Sequence, residues 1–293
     1  MVGRFRLGAG LATGVLAVSW AAILVRLAAA PALSVAAWRL LVASVPALAW
    51  AALRHRGEWR ALPARERWRA AGAGLALAAH FATWIGSLQL TSVAASVALV
   101  TTQPVWVALF SAAFLGERVS RRTALGIALS LAGGVLVAGA DLGTSARALA
   151  GDALAVAGAV FAALYFVAGR RARATLSLGA YVGAVYPVAA VALLAAAALA
   201  GAPLSGFTRG TWAALLLLGL VPQLIGHSLL NWSLRWLPAP LVAVAILAEP
   251  VVSTLLAVPV LGERPGPGVA AGGLLTLCGV YLAATGTEAA GPR

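Results

Sequence analysis

The chain has 293 residues, of which 62% are hydrophobic and only 10% are charged. Soluble domains carry about 25% charged residues, so this composition excludes a water-soluble fold. The formal net charge of +13 comes from arginines scattered over short segments between apolar runs. This distribution argues against a basic nucleic-acid-binding domain and favours contact with anionic lipid headgroups.

Ten apolar runs of about 20 residues follow one another along the chain, and each is long enough to cross a membrane as a helix. The first run is longer than the apolar core of a cleavable signal peptide, and a second run follows at once, so we expect the first helix to be retained. The pattern predicts an all-α integral membrane protein. The predicted spans are 7–28, 34–53, 70–90, 92–114, 122–140, 151–169, 177–200, 211–234, 238–261 and 267–286.

The arginines are distributed unevenly between the two ends of the predicted spans. Most of them lie before the first span or after an even-numbered span. Because basic residues collect on the cytoplasmic side of membrane proteins, this bias places both termini in the cytoplasm. We therefore expect a multi-pass protein of the bacterial cytoplasmic (inner) membrane.

One tetrapeptide marks the end of each half of the chain. Leu115–Arg118 reads Leu-Gly-Glu-Arg, and the same four residues return 146 positions later as Leu261–Arg264. In each copy the glycine lies twelve residues after a proline, which is Pro104 in the first copy and Pro250 in the second. A repeat at a fixed offset of half the chain indicates an internal duplication.

The duplication predicts two units, 1–145 and 146–293, that cross the membrane in opposite directions. Each unit contains five predicted spans, so the second one starts on the other side of the membrane. Inverted repeats offer two near-equivalent halves that rock about a central site, which is a physical basis for alternating access. Glycines seven residues apart predict close helix contacts in the fifth span of each unit, at Gly126, Gly133, Gly272 and Gly279.

The acidic residue Glu249 lies near the middle of the predicted ninth span. A carboxylate at that depth costs several kcal/mol unless it is paired, hydrated or protonated. One interpretation is a site that couples protons or recognises a cation. The other is a structural carboxyl group that braces the backbone at Pro250. The equivalent position of the first unit is Gln103, so an acidic role would exist in one copy only.

Polar and aromatic side chains within the spans are the candidate lining of a central cavity. Pairs spaced three or four residues apart share a helix face, and polar atoms in lipid turn toward the bundle interior. Aromatic faces would suit a flat or cationic solute. Alternatively, the histidines form hydrogen bonds between helices and the aromatic residues pack against lipid. The candidates for substrate binding are His80, Trp84, Gln103, Trp106, Trp20, Tyr165, Tyr186, His227 and Asn231.

The prolines and charged pairs at the two repeat ends are interpreted as structural residues. We expect the glutamates to bridge to neighbouring arginines or to helix N-termini. Arg26 and Arg39 flank the first outer turn, and we expect them to extend outward or to cap carbonyl groups. The repeat-end set comprises Pro104, Glu117, Arg118, Pro250, Glu263 and Arg264.

The paired Pro…Leu-Gly-Glu-Arg motif, the Trp38–Leu41 start of the second span and Glu249-Pro250 in the ninth resemble the EamA type of the drug/metabolite transporter superfamily. The resemblance covers nearly the whole chain. It implies ten transmembrane helices, arranged as two inverted five-helix repeats around a central cavity. By length and aromatic content, the chain resembles the YddG-like exporters of amino acids and cationic drugs within that family.

These patterns predict a secondary transporter and not an enzyme. The sequence has no nucleotide-binding loop, nucleophile elbow or metal-ligand spacing, so we expect no cofactor and no metal. We expect export of small organic solutes, mainly aromatic or neutral amino acids and related amphiphiles. Lipids and protons are further expected partners, nucleic acid is not, and the chain is a monomer or a homodimer. Transport of nucleobases, sugars or other metabolites stays open, as do a lipid flippase component and a membrane enzyme.

Overall fold

The computed structural model describes residues 3–91, 96, 99–117, 119–138, 145–261 and 267–286, and every regular element among them is a helix. Six of these helices are long and apolar enough to cross a membrane, so the chain is a multi-pass membrane protein. Two further apolar helices, Gln103–Leu115 and Ala270–Thr285, are shorter. The count of ten spans therefore stays a prediction. The six are Phe5–Ala28, Ala32–Arg54, Ala146–Arg173, Leu178–Leu199, Arg209–Ser233 and Ala239–Val260.

The helices follow the predicted apolar runs, with interruptions inside the first, fourth, eighth and ninth of them among the described residues. In the first half they are α1 (Arg4–Val18), α2 (Ala21–Ala28), α3 (Ala32–Arg54), α4 (Arg56–Ala61), α5 (Ala64–Ser87), α6 (Gln103–Leu115) and α7 (Arg121–Ala138). In the second half they are α8 (Ala146–Arg173), α9 (Leu178–Leu199), α10 (Arg209–Leu218), a π-helix (Gly219–His227), α11 (Ser228–Ser233), α12 (Ala239–Ile246), α13 (Glu249–Leu261) and α14 (Pro267–Gly286).

The predicted eighth span, 211–234, is not a uniform α-helix. It widens into the π-helix, which contains Pro222. Proline has no backbone N–H, so it cannot complete the α-helical hydrogen-bond ladder at this point. Short π-helical segments occur frequently at functional sites, where the wider turn redirects side chains. Here the segment carries the fully buried side chain of Gln223.

The first and ninth predicted spans are interrupted as well. Between α1 and α2, the hydroxyl of Ser19 donates to the carbonyl of Val15 at 2.8 Å. Between α12 and α13, Leu247 N–H bonds to the carbonyl three residues back, and the next helix begins at Glu249. Pro250 thus lies in the first turn of α13, where its missing N–H breaks no hydrogen bond. A proline therefore follows the break in the ninth run, whereas the first run contains no proline.

The helices of the two halves interleave. Within the described residues, α3 packs along α9, α5 packs along α8, and α1 with α2 packs against the π-helix and its flanking α-helices. Gly219 allows one close approach, since a Cβ atom there would lie 3.1 Å from the carbonyl oxygen of Arg39 on α3. This contact brings the π-helix beside the polar segment of α3.

Helices α7 and α14 run antiparallel, because the contact partner of each successive residue on α7 lies further back along α14. Gly126 on α7 faces Gly279 and Ala283, whereas Gly133 faces Gly272. Between them, Ser130 Oγ donates to the carbonyl of Thr276 at 3.1 Å. The glycines lie at the helix contact that their spacing predicts, because without side chains the two backbones meet directly.

Candidate substrate cavity

A cavity of about 540 Å³ lies between helices from both halves of the chain. Its walls come from α1, α2, α3, α5, α6 and α7 in the first half, and from α8, the π-helix, α11, α12 and α13 in the second. Small-molecule sites typically occupy about 300–1,000 Å³ and combine apolar walls with a few polar groups. The volume therefore suits one small organic solute.

Arg39 is the charged residue that the sequence interpretation misplaced. Its side chain is only 1% exposed and forms part of the cavity wall. Its Nε donates to Gln223 Oε1 at 2.9 Å, and its guanidinium carbon lies 4.0 Å from the ring centre of Phe81. The expectation that Arg39 extends outward or caps carbonyls is wrong, because Gln223 and Phe81 hold the guanidinium inside the bundle.

The guanidinium of Arg39 is incompletely satisfied within the described protein. Its Nη1 atom is buried and has no hydrogen-bond partner. A buried charge in a membrane is costly unless an opposite charge, water or a ligand compensates it. The arrangement is therefore one that an anionic group at the cavity would stabilise.

Glu249 lines the same cavity from the first turn of α13. It is half-buried and interacts electrostatically with Arg39. Within the described residues, its carboxylate forms no ion pair closer than 4.0 Å. The cavity wall thus holds the buried Arg39 and the half-buried Glu249, which act on each other without direct contact, and Arg26 adds a second arginine to it.

Aromatic rings connect these polar groups. His80 and Trp84 lie one turn apart on α5, with parallel rings whose centres are 6.0 Å apart. The Nδ1 atom of His80 lies 2.9 Å from the carbonyl oxygen of Gly158 and so carries the proton. In the neutral ring, Nε2 is then an acceptor. The rings of Phe81 and His227 pack edge to face, with their centres 5.4 Å apart.

Five of the nine residues predicted to bind substrate line this cavity, and four do not. The five come from α5, α6, α8 and the π-helix: His80, Trp84, Gln103, Tyr165 and His227. The other four, Trp20, Trp106, Tyr186 and Asn231, lie outside the lining. The side-chain spacing within each helix did not reveal which residue of a pair faces inward, because that depends on the neighbouring helices.

Asn231 and Tyr186 lie behind the wall and support it. Asn231 Nδ2 donates to the hydroxyl of Tyr165, and also to the carbonyl of His227 at 2.7 Å. The hydroxyl of Tyr186 donates to the carbonyl of Gln223 at 3.3 Å and lies 3.1 Å from Ser228 Oγ. Asn231 therefore fixes two residues of the cavity wall, whereas Tyr186 holds Gln223, the hydrogen-bond partner of Arg39.

The two tryptophans that fall outside the lining are half-buried. Trp20 lies at the start of α2, and the indole of Trp106 donates at 3.3 Å to Oγ1 of Thr102, the residue that precedes α6. The sequence interpretation missed Phe81 and Gln223 altogether. An arginine within an apolar run was the available signal for this site, because intramembrane charges usually mark function.

The repeat-end residues have distinct surroundings. Glu117 accepts a hydrogen bond from Arg170 Nε at 2.7 Å and another from the backbone N–H of Ala239 at 3.2 Å. It thereby joins the ends of α6 and α8 to the start of α12. Pro104 and Pro250 both line the cavity. The remaining repeat-end residues, Arg118, Glu263 and Arg264, lie outside the described residues.

A family model described as the EamA-like transporter family matches the chain over residues 7–139 and 149–285. The chain belongs to this family. Its members, within the drug/metabolite transporter superfamily, are membrane transporters and not enzymes. A relative from Archaeoglobus fulgidus, named an uncharacterized transporter, is 28% identical over 201 residues, covering 67% of this chain and 68% of the relative.

A protein of known crystal structure has the same fold. It superposes with a TM-score of 0.79 over 96% of this chain and 98% of its own length. The two sequences are 23% identical, so the likeness concerns the fold alone. The family membership makes this chain a membrane transporter, whose partners include a small-molecule solute and membrane lipids.

Proposed function

We propose that this transporter exports small amphiphilic organic solutes, foremost amino acids with neutral or aromatic side chains, by alternating access. The observation that carries the proposal is the cavity, which combines aromatic walls with two arginines, Arg26 and Arg39, and the acidic Glu249. An amino acid has matching chemistry, because it joins an apolar side chain to a carboxylate and an ammonium group. The sequence contains no nucleotide-binding motif, so a solute or ion gradient supplies the energy.

The proposed architecture is ten transmembrane helices in two inverted five-helix repeats, residues 1–145 and 146–293. Two observations support it. The family model matches in two segments, one in each unit. The antiparallel contact of α7 with α14 pairs Gly126 with Gly279 and Gly133 with Gly272. These pairs exchange under the 146-residue offset, which is the contact pattern of two elements related by a two-fold axis.

The described conformation corresponds to an outward-facing state in this proposal. Arg26 and Gln89, near the predicted outer ends of α2 and α5, both belong to the cavity wall. At the predicted cytoplasmic ends, Glu117 and Arg170 hold α6, α8 and α12 together. Export then requires this cytoplasmic contact to open while the outer ends close.

We further propose roles for the individual residues. The rings of His80, Trp84 and Tyr165 contact the solute side chain, and Gln103 and His227 bind its polar groups. Glu249 takes part in proton coupling or in binding a cationic group. Trp20, Trp106, Tyr186 and Asn231 support the wall from outside. The repeat-end residues position the helices that move.

The proposed location is the cytoplasmic membrane of a bacterium, with both termini in the cytoplasm. The arginine distribution between the predicted spans supports this orientation. A reporter fused after Arg293 tests it, since a cytoplasmic signal is expected and a periplasmic one would overturn the topology.

We propose a monomer as the working unit, and native mass spectrometry in detergent distinguishes it from a homodimer.

Transport assays in proteoliposomes test the substrate proposal. Vesicles containing the purified protein receive radiolabelled amino acids, nucleosides and sugars, and counterflow identifies the solutes that move. Trp84→Ala should change the relative rates among amino acids, whereas Trp68→Ala should not, because Trp68 is 77% exposed and lies outside the cavity. Counterflow of nucleosides or sugars but of no amino acid would refute the proposed substrate.

A further inference from the structure

The hydrogen-bonding groups around Arg39 define which chemical group of a solute the cavity can hold. Four cavity residues have buried side-chain nitrogen atoms without a partner in the described part of the chain: Arg39 Nη1, Trp84 Nε1, Gln103 Nε2 and His227 Nδ1. The first three can only donate hydrogen bonds, whereas His227 Nδ1 donates or accepts according to its tautomer. A buried donor without an acceptor is destabilising, so an acceptor-rich group in the cavity would relieve several such penalties together.

The surroundings of Arg39 favour an anionic acceptor. The side-chain oxygen of Gln223 accepts a hydrogen bond from Arg39 Nε, and the ring of Phe81 covers the face of the guanidinium group. These contacts fix the planar guanidinium group in one orientation before a solute binds. An arginine fork binds a carboxylate through parallel hydrogen bonds, which makes it selective for planar anions.

We propose that Arg39 is the carboxylate anchor of the solute, and that Glu249 binds the ammonium group of a zwitterion in the same cavity. This inference rests on the transport function proposed above and adds the recognition chemistry to it. Arg39 and Glu249 line the cavity from α3 and α13 without direct ion pairing in the described structure. A zwitterion satisfies both charges at once, whereas a simple amine leaves Arg39 without a counter-ion.

Uncharged groups of the cavity wall add to this recognition. Trp84 Nε1 and Gln103 Nε2 are further donors for a carboxylate, and the Nε2 atom of neutral His80 is an acceptor for an ammonium group. The aromatic rings of the same wall accommodate the apolar side chain. The cavity therefore discriminates against solutes that carry only a positive charge.

Three probes with the same phenyl group separate the two charges. Phenylalanine carries both, phenylpropionate lacks the ammonium group, and phenylethylamine lacks the carboxylate. We expect the wild-type protein to bind phenylalanine best and phenylethylamine worst in calorimetric titrations, and to transport them in the same order in proteoliposomes. Wild-type preference for phenylethylamine over both carboxylates would overturn the inference.

Variants then assign each charge to a residue. Arg39→Gln should weaken phenylalanine and phenylpropionate about 10- to 100-fold and leave phenylethylamine nearly unchanged, because one charge-assisted pair is lost. Glu249→Gln should instead weaken the binding of phenylalanine and phenylethylamine, which carry the ammonium group, and leave the binding of phenylpropionate nearly unchanged. Arg209→Gln is the matched control, because this exposed arginine lies outside the cavity and should alter none of the three.

Melting temperature and elution profile in detergent establish that each variant is folded. If Arg39→Gln does not fold, Arg39→Lys replaces it, and the same selective loss is expected at smaller size because lysine lacks the fork. Equal loss of all three probes in a folded variant, or no loss, would overturn the anchor role. Transport of amino acids without any dependence on the carboxylate would defeat this inference and leave the transport proposal standing. Absence of all amino acid transport would defeat both.

Discussion

A side chain at Gly133 would push α7 away from α14. A Cβ atom added there would lie 2.6 Å from the carbonyl oxygen of Gly272, about 0.8 Å short of the 3.4 Å at which ordinary contact begins. The backbone nitrogen of Thr276 also obstructs it, so no side-chain rotation relieves the clash. We expect the overpacking in Gly133→Ala to lower the free energy of unfolding by about 1–3 kcal/mol.

The neighbouring Gly134 provides a matched control. A Cβ atom there would meet Thr101 Oγ1 at 3.6 Å, which is ordinary contact. Both substitutions gain the same helix propensity, about 1 kcal/mol, so the difference between the two variants isolates the packing between α7 and α14. At about 2–4 °C per kcal/mol, Gly133→Ala should melt several degrees below Gly134→Ala in detergent. Equal melting temperatures would refute the close contact.

Three further predictions concern ionisable residues. Glu249→Gln should abolish pH-dependent flux in proteoliposomes because an amide exchanges no proton, and persistence of that dependence would remove Glu249 from coupling. Glu117→Gln should lower the unfolding free energy by about 1 kcal/mol, since its partly buried pair with Arg170 is lost, and an unchanged melting temperature would contradict this. Burial tends to raise the pKa of Glu58, but hydrogen bonds from Ser177 and His55 outweigh it and hold this pKa below its ordinary value of 4.5. The stability that Glu58 contributes is present above its pKa in the unfolded chain and is lost as the pH falls through its lowered pKa in the folded protein. On acidification, the melting temperature of the wild-type protein should therefore fall further than that of Glu58→Gln. Parallel melting curves for these two proteins would argue against the contribution.

The candidate site shows where reasoning from the sequence reaches its limit. His80 and Trp84 share a helix face, and the structure places both on the cavity wall. His227 and Asn231 have the same spacing, yet only His227 reaches the wall, because the side chain of Asn231 bonds to Tyr165. Spacing determines which residues share a face of one helix, but it does not determine which neighbour that face meets.

Arg39 illustrates the same limit for a charge. From the sequence it lies close to the start of an apolar run, where long basic side chains commonly extend to the interface. Its actual direction follows from Gln223 and Phe81, which belong to other helices. Gln223 in turn takes its position from the π-helix around Pro222. No local pattern in the sequence specifies that combination.

Composition and apolar periodicity by themselves determined that this chain lies in the membrane, and the duplicated motif with its glycines indicated two related halves and a close helix contact. These properties follow from short-range regularities, because lipid requires long apolar helices and glycine alone permits backbones to touch. Only the tertiary structure decided that Arg39 and Glu249 face one cavity. Their approach depends on the packing of α3 against the π-helix and on the break before α13, which join residues far apart in the chain.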